Sequence, residues 1–233
     1  MEPKSLKVVV PDQIWAVDHM LRMIPGVYLP ARMTVLRLDS DHLALHSPVP
    51  MDDGIASRVA GLGDVSVIIA PNNYHHLFVS RTLERYPGAE FWAAPGLPTK
   101  RTDLTFQHLL GPDAAPDWGD VLTPFFLAGA PIADETVFVH RPTGTLVVSD
   151  SYFNLVSGTP GFLSPVMLRL LGAWKRPGQA RLWRKQVKDR AAMVESTSAV
   201  LAQRFDRLVV AHGEIVLSGG HEAFTRATAW LDG

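Results

Sequence analysis

A chain of 233 residues, 47% hydrophobic and 19% charged, has the composition of a globular protein able to bury a core as one large domain or two small ones. A formal net charge of −1 gives no global pull toward nucleic acid or membrane, and the absence of cysteine removes disulfides, thiolate ligands and cysteine nucleophiles. There is no run of about 20 apolar residues, and the start MEPKSLKVVVPDQIW lacks the apolar core of a signal peptide, so a cytoplasmic protein is expected.

Residues 7 to 46 read as β. Val8–Val10, Ile14–Val17, Met33–Leu38 and Leu43–His46 are short runs separated by Pro, Gly and Asp, and Asp39-Ser40-Asp41 splits the last two into a hairpin. Asp53-Gly54 opens a helix to about Gly61. Val65 to Ile69 is then a buried strand that ends in the turn residues Ala70-Pro71-Asn72-Asn73, followed by His75 and a helix from His76 to Arg85. Tyr86-Pro87-Gly88 stops that helix, and Phe91–Ala94 returns as a strand, which makes a βαβ unit. Residues 95 to 120 predict loop, with a short helix near Phe106 to Leu110.

A second β run covers Val121–Leu127, Thr136–His140 and Thr145–Ser149, with a turn at Arg141-Pro142-Thr143-Gly144 and Asp150 just past the last strand. Residues 155 to 205 predict helix. Ser164-Pro165 supplies an N-cap and a first-turn proline, and a long helix is expected from Gln179 to Phe205 on the stripe Trp183, Val187, Ala191, Val194, Leu201 and Phe205. A final strand, Leu208–Ala211, ends at His212-Gly213. No repeat, low-complexity segment or linker divides the chain, so one domain over residues 1 to 233 is expected.

Three strands thus end in residues that can bind metal: His75 and His76, Asp150, and His212. Imidazole and carboxylate are ordinary ligands of zinc and related ions, and four of them complete a tetrahedral shell. His19, His42, His46, His108, His140 and His221 do not share that placement and read as structural histidines.

The order of these features resembles the metallo-β-lactamase superfamily. The resemblance extends over most of the chain and implies a four-layer αββα sandwich with metals at the edge where two sheets meet. The family signature H-x-H-x-D-H is degenerate here, as Pro71-Asn72-Asn73-Tyr74-His75-His76. Pro71 and Asn73 replace its first two histidines, His75 replaces its Asp, and His76 keeps its final His. Asp150 matches the bridging Asp and His212 the last His, while Ala130-Pro131-Ile132 stand where an intermediate His belongs. The resemblance therefore implies loss of one metal site and retention of the other, a mononuclear site of His75, His76, Asp150 and His212. Zinc suits that set best, then iron(II), then manganese. Glu135 is the residue able to rebuild part of a second site.

A mononuclear ion would suit a metal-dependent hydrolase acting on a small ester-, lactone- or phosphate-like substrate. Asn73 and Tyr74 are the accompanying catalytic candidates, and Tyr152 a candidate for the site mouth. The alternative is a non-catalytic binding or sensing protein on the same fold, metal-free or with a structural ion. Residues 169 to 190 hold eight of the 22 basic residues (Arg169, Lys175, Arg176, Arg181, Arg184, Lys185, Lys188 and Arg190) against Asp189 alone. They read as a solvated helix face or as a device for an anionic substrate, an RNA backbone or an acidic membrane. Trp174 and Trp183 among them fit a lid over the site or a contact in a homodimer. Nucleic acid is not the expected partner.

Overall fold

The computed structural model describes residues 5–233. Its strands are β1 (Leu6–Val10), β2 (Ile14–Ile24), β3 (Val27–Arg37), β4 (His42–His46), β5 (Asp64–Ala70), β6 (Glu90–Ala93), β7 (His108–Leu109), β8 (Leu122–Phe126), β9 (Thr136–His140), β10 (Thr145–Asn154) and β11 (Arg207–Gly213). Its helices are α1 (Asp53–Ala60), α2 (Val79–Arg85), α3 (Leu97–Lys100), α4 (Ser164–Leu171), α5 (Arg181–Gln186), α6 (Arg190–Leu201) and α7 (Gly220–Thr228). Strands β1 to β7 form one sheet in chain order, and β11-β10-β9-β8 form the other.

Period-two alternation along the strands builds the layers. Val67 and Ile69 of β5, Phe138 of β9, Val147 of β10 and Val209 of β11 share the core between the two sheets. Their neighbours Ile68 and Ala70 face α2 and α3, whereas Leu146, Val148, Leu208 and Val210 face the helices after β10. Helix α1 covers β2 to β4 through Ile55 and Val59. The result is the expected αββα sandwich.

The sheets are tied where β3 passes β11. Arg32 is buried, and its guanidinium donates to the carbonyls of Val210 and Gly213, both at 2.8 Å, and to Asp18 at 2.7 Å. Burying a guanidinium is costly unless its donors are filled, and these contacts fill them across the seam.

Several elements differ from the sequence expectation. Strands β2 and β3 are each far longer than the runs at 14–17 and 33–38 and pair from Ile14↔Leu36 to Ile24↔Val27. Their outer halves carry charges and prolines because they leave the sandwich as a hairpin, where alternation no longer reports on the core. Helix α2 begins three residues later than expected, after turns at 75–78. The helix near 106–110 is instead the short strand β7, and a helix occurs earlier, at α3. The long helix from 179 to 205 is broken at Val187-Lys188-Asp189. There the Gly129 carbonyl takes the amides of Lys188 and Asp189, and the Asp189 carboxylate caps α6 through the Ala192 amide. Ser164 is the first residue of α4, not its cap; its hydroxyl oxygen accepts from the Tyr28 amide of the hairpin at 2.8 Å.

Candidate metal centre

The segment from β5 to α2 is folded around Asn72, which is fully buried. Its carboxamide oxygen accepts from the amides of Tyr74 and His75, both at 2.9 Å, which is an Asx turn. Its amide nitrogen donates to Asp150 Oδ2 at 2.7 Å. One side chain therefore shapes the turn that presents His75 and also orients the carboxylate facing it.

Asp150 sits within β10 at an irregularity in its pairing with β11, between Val148 and Phe153. The backbone there is held by Glu135, whose buried carboxylate accepts from the Ser149 amide (2.9 Å), the Asp150 amide (3.1 Å) and the Ser151 hydroxyl (2.8 Å). Burial, then the charge of Asp150, pushes the Glu135 carboxyl up. The residue able to rebuild a second site is thus occupied in positioning the first. His212 ends β11, and its Nδ1 lies 2.7 Å from the Pro30 carbonyl, which can only accept. Nδ1 therefore carries a proton, so that whenever the ring is neutral Nε2 is the nitrogen that presents a lone pair.

These elements bring His75, Asp150 and His212 together. His75 Nε2 lies 3.1 Å from His212 Nε2 and 3.2 Å from Asp150 Oδ2, and His212 Nε2 lies 3.1 Å from Asp150 Oδ1. The ligand atoms all fall within 4.8 Å of one another. Tetrahedral ligands of zinc, at the usual bond lengths, are about 3.3 Å apart. The donor set suits a cation: a carboxylate and two imidazole nitrogens converge, and either a metal ion or a ring proton on Nε2 satisfies the carboxylate there. Burial would raise the Asp150 carboxyl, but His75 and His212 hold it well below the ordinary range. Burial likewise opposes charge on His212, and the hydrogen bond with Asp150 outweighs it and pushes the ring up.

His76 does not join the group. Its Nδ1 lies 3.0 Å from Arg101, which also donates to the His76 carbonyl at 2.9 Å. Burial, then the charges of Lys100 and Arg101, lowers its pKa to about 4, so the ring is a neutral acceptor for the guanidinium. Adjacent residues at a helix entry point in different directions, and only one of two adjacent histidines could face the trio. The four-ligand expectation becomes three.

Asn73 is turned toward the β8–β9 loop, where its amide nitrogen meets the Ile132 carbonyl at 3.2 Å, so it braces the turn. Tyr74 lines the cleft above the trio and donates to Gln186 at 2.8 Å. Burial, then Asp150, raises its phenol, which keeps its proton. Tyr152 is buried in the core under the helices and is not at the mouth.

Two residues absent from the sequence reading belong to the site. Asn72 occupies a variable position of the signature, and only its place in a turn signalled it. Ser47, just past β4, hydrogen-bonds His75 Nδ1 through Oγ. It is buried and has φ +57°, a costly conformation for a serine that fixes where the hydroxyl points. Each histidine of the trio thus has its second nitrogen held, as metal-binding imidazoles usually do.

The fold is that of the metallo-β-lactamases. Solved structures similar to it include metallo-β-lactamases from Pontibacter korlensis (10% identity, TM-score 0.62, 99% of each chain) and Hirschia baltica (14%, 0.63, 99% of this chain and 98% of that one). A third is FIM-1 from Pseudomonas aeruginosa in its mono-zinc form (14%, 0.61, 99% of this chain and 95% of that one). At such identities the likeness is one of fold. The chain itself belongs to the family described as "Domain of unknown function (DUF4336)", whose model matches residues 11–181. No curated protein matches the chain.

Proposed function

We propose that the chain is a mononuclear metal-dependent hydrolase of small ester- or lactone-like substrates, with zinc as the preferred ion. The observation that carries this is the count of converging ligands. Three protein ligands leave one tetrahedral position open, the pattern of catalytic rather than structural zinc, and the trio lines a cleft. A divalent ion at such a site supplies a Lewis acid for a carbonyl oxygen and lowers the pKa of water.

The chain's own residues supply the rest. Ser47 and the Pro30 carbonyl fix the rings of His75 and His212, and Asn72 fixes Asp150. Tyr74 keeps its phenol proton and donates it in a hydrogen bond to Gln186; turned from that partner, the same hydroxyl would donate to a carbonyl oxygen as it gains charge. Glu135 and Asn73 hold backbone and do not touch substrate.

Elemental analysis of purified protein after dialysis against zinc should give one metal per chain. That metal should be lost in His75→Ala and in His212→Ala, together with any hydrolysis of 4-nitrophenyl acetate. Protein that takes up no zinc, iron(II) or manganese would overturn the reading and leave the sensing alternative.

A further inference from the structure

The cleft that the trio lines has a volume of about 680 Å³. Apart from the trio, the polar side chains in the lining are Tyr28, Ser47, Tyr74, His76, Lys100, Gln186 and the indole of Trp183, and the remaining lining residues are apolar. Met23, Ile24 and Leu29 of the β2–β3 hairpin face Met167 and Leu171 of α4 and Leu182 of α5. The hairpin and α4 are joined by the Ser164–Tyr28 bond and by the Leu163 amide on the Gly26 carbonyl at 3.0 Å. Two elements that could have moved apart therefore form one continuous apolar wall.

Charge is excluded from that wall. Among the described residues Lys100 is the one Lys or Arg in the lining, and its ammonium already donates to the Asn73 carbonyl at 2.7 Å and lies 5.3 Å over the Tyr74 ring. None of the eight basic residues between 169 and 190 lines the cleft, although α4 and α5 do. An anionic substrate would find there only the one ammonium of Lys100, already bonded to a backbone carbonyl. A hydrocarbon chain would find matching walls, and Phe162, which lies against Gly26 at the hairpin tip, is 81% exposed.

We propose that the cleft binds an aliphatic chain, so that the substrate is an uncharged acyl ester or acyl lactone. Its chain runs between the β2–β3 hairpin and α4, with the carbonyl at His75, Asp150 and His212. This deepens the hydrolase reading and rests on it only for the head group. The chain could come from a dissolved ester or from a lipid surface, and the two sources share this chemistry.

The test uses full-length protein stripped of metal with a chelator, so chain binding is read without turnover. A neutral fluorescent dodecanamide is bound and displaced by methyl butanoate, octanoate and dodecanoate. Affinity should climb about fourfold per methylene until the cleft is filled, as burial of each CH₂ requires. Leu182→Lys, at a half-exposed site that tolerates charge, should weaken dodecanoate at least tenfold without lowering the melting temperature, and Met167→Trp should do so by filling space. Flotation with phosphatidylcholine vesicles supports a lipid source, and a steep ester series without flotation supports a dissolved one. A flat series, or variants that leave it unchanged, overturns the proposal. A steep series with zinc-loaded protein that hydrolyses no ester would defeat the hydrolase reading alone.

Discussion

Asn72 and His76 separate what the site needs from what merely stands near it. Asn72 makes three hydrogen bonds that set the turn and the carboxylate. Asn72→Ala should lower zinc affinity about 10- to 100-fold, the usual cost of losing such an outer partner, in a competition titration with a chelating dye. His76→Ala should leave that affinity within about threefold while loosening Arg101. Away from the site, His140 is fully buried, with Nε2 on the Arg37 carbonyl at 3.0 Å and Nδ1 by the Thr143 hydroxyl at 2.9 Å. Burial lowers its pKa below the ordinary 6.5. The folded state therefore refuses a proton that the unfolded chain accepts, and stability present above pH 6.5 is lost as the pH falls below it. Urea unfolding from pH 7 to 5 should show this loss, and His140→Gln should make the slope shallower by at most about 1.4 kcal/mol per pH unit.

Among the elements, the β2–β3 hairpin and α4 decide access to the cleft. Gly26 at the hairpin tip has φ +81°, and a Cβ there would meet the Phe162 ring at 2.7 Å. Gly26→Ala should cost about 1 to 2 kcal/mol from the left-handed backbone and displace Phe162. Hydrogen exchange at the Leu163 amide should speed up, with the sandwich core unchanged. The inner strands were legible in the sequence because apolar alternation reports on burial, and so β5, β9 and β11 fall where Val, Ile and Leu predict them. Residues 18 to 32 were opaque for the same reason: as a hairpin standing off the sandwich, they take their pattern from the cleft. The break between α5 and α6 depends on the Gly129 carbonyl, a partner almost 60 residues earlier that no local pattern encodes. At the site, His75, Asp150 and His212 could be picked out because each comes directly after an apolar run or the turn that ends one, although Asp150 and His212 themselves lie within β10 and β11. Ser47 and Asn72 could not, since a serine and an asparagine in turns look alike whether or not they hold a ligand.

For the whole molecule, the seam between the sheets is the shared support. Arg32→Met would strand two carbonyls and Asp18, and should cost about 3 kcal/mol in equilibrium unfolding; Arg32→Lys, with one compact ammonium, should recover only part of it. The ligand trio straddles the same seam. His75 and His212 are 137 residues apart in the chain, and His212 and Asp150 are 62 apart on neighbouring strands. Contacts of such separation form late, after loop closure has been overcome, so the geometry for an ion is absent until both sheets have docked. An ion there would act as a latch on the finished structure and not as a seed for it. In stopped-flow experiments zinc should therefore slow unfolding at least tenfold and leave the refolding rate nearly unchanged.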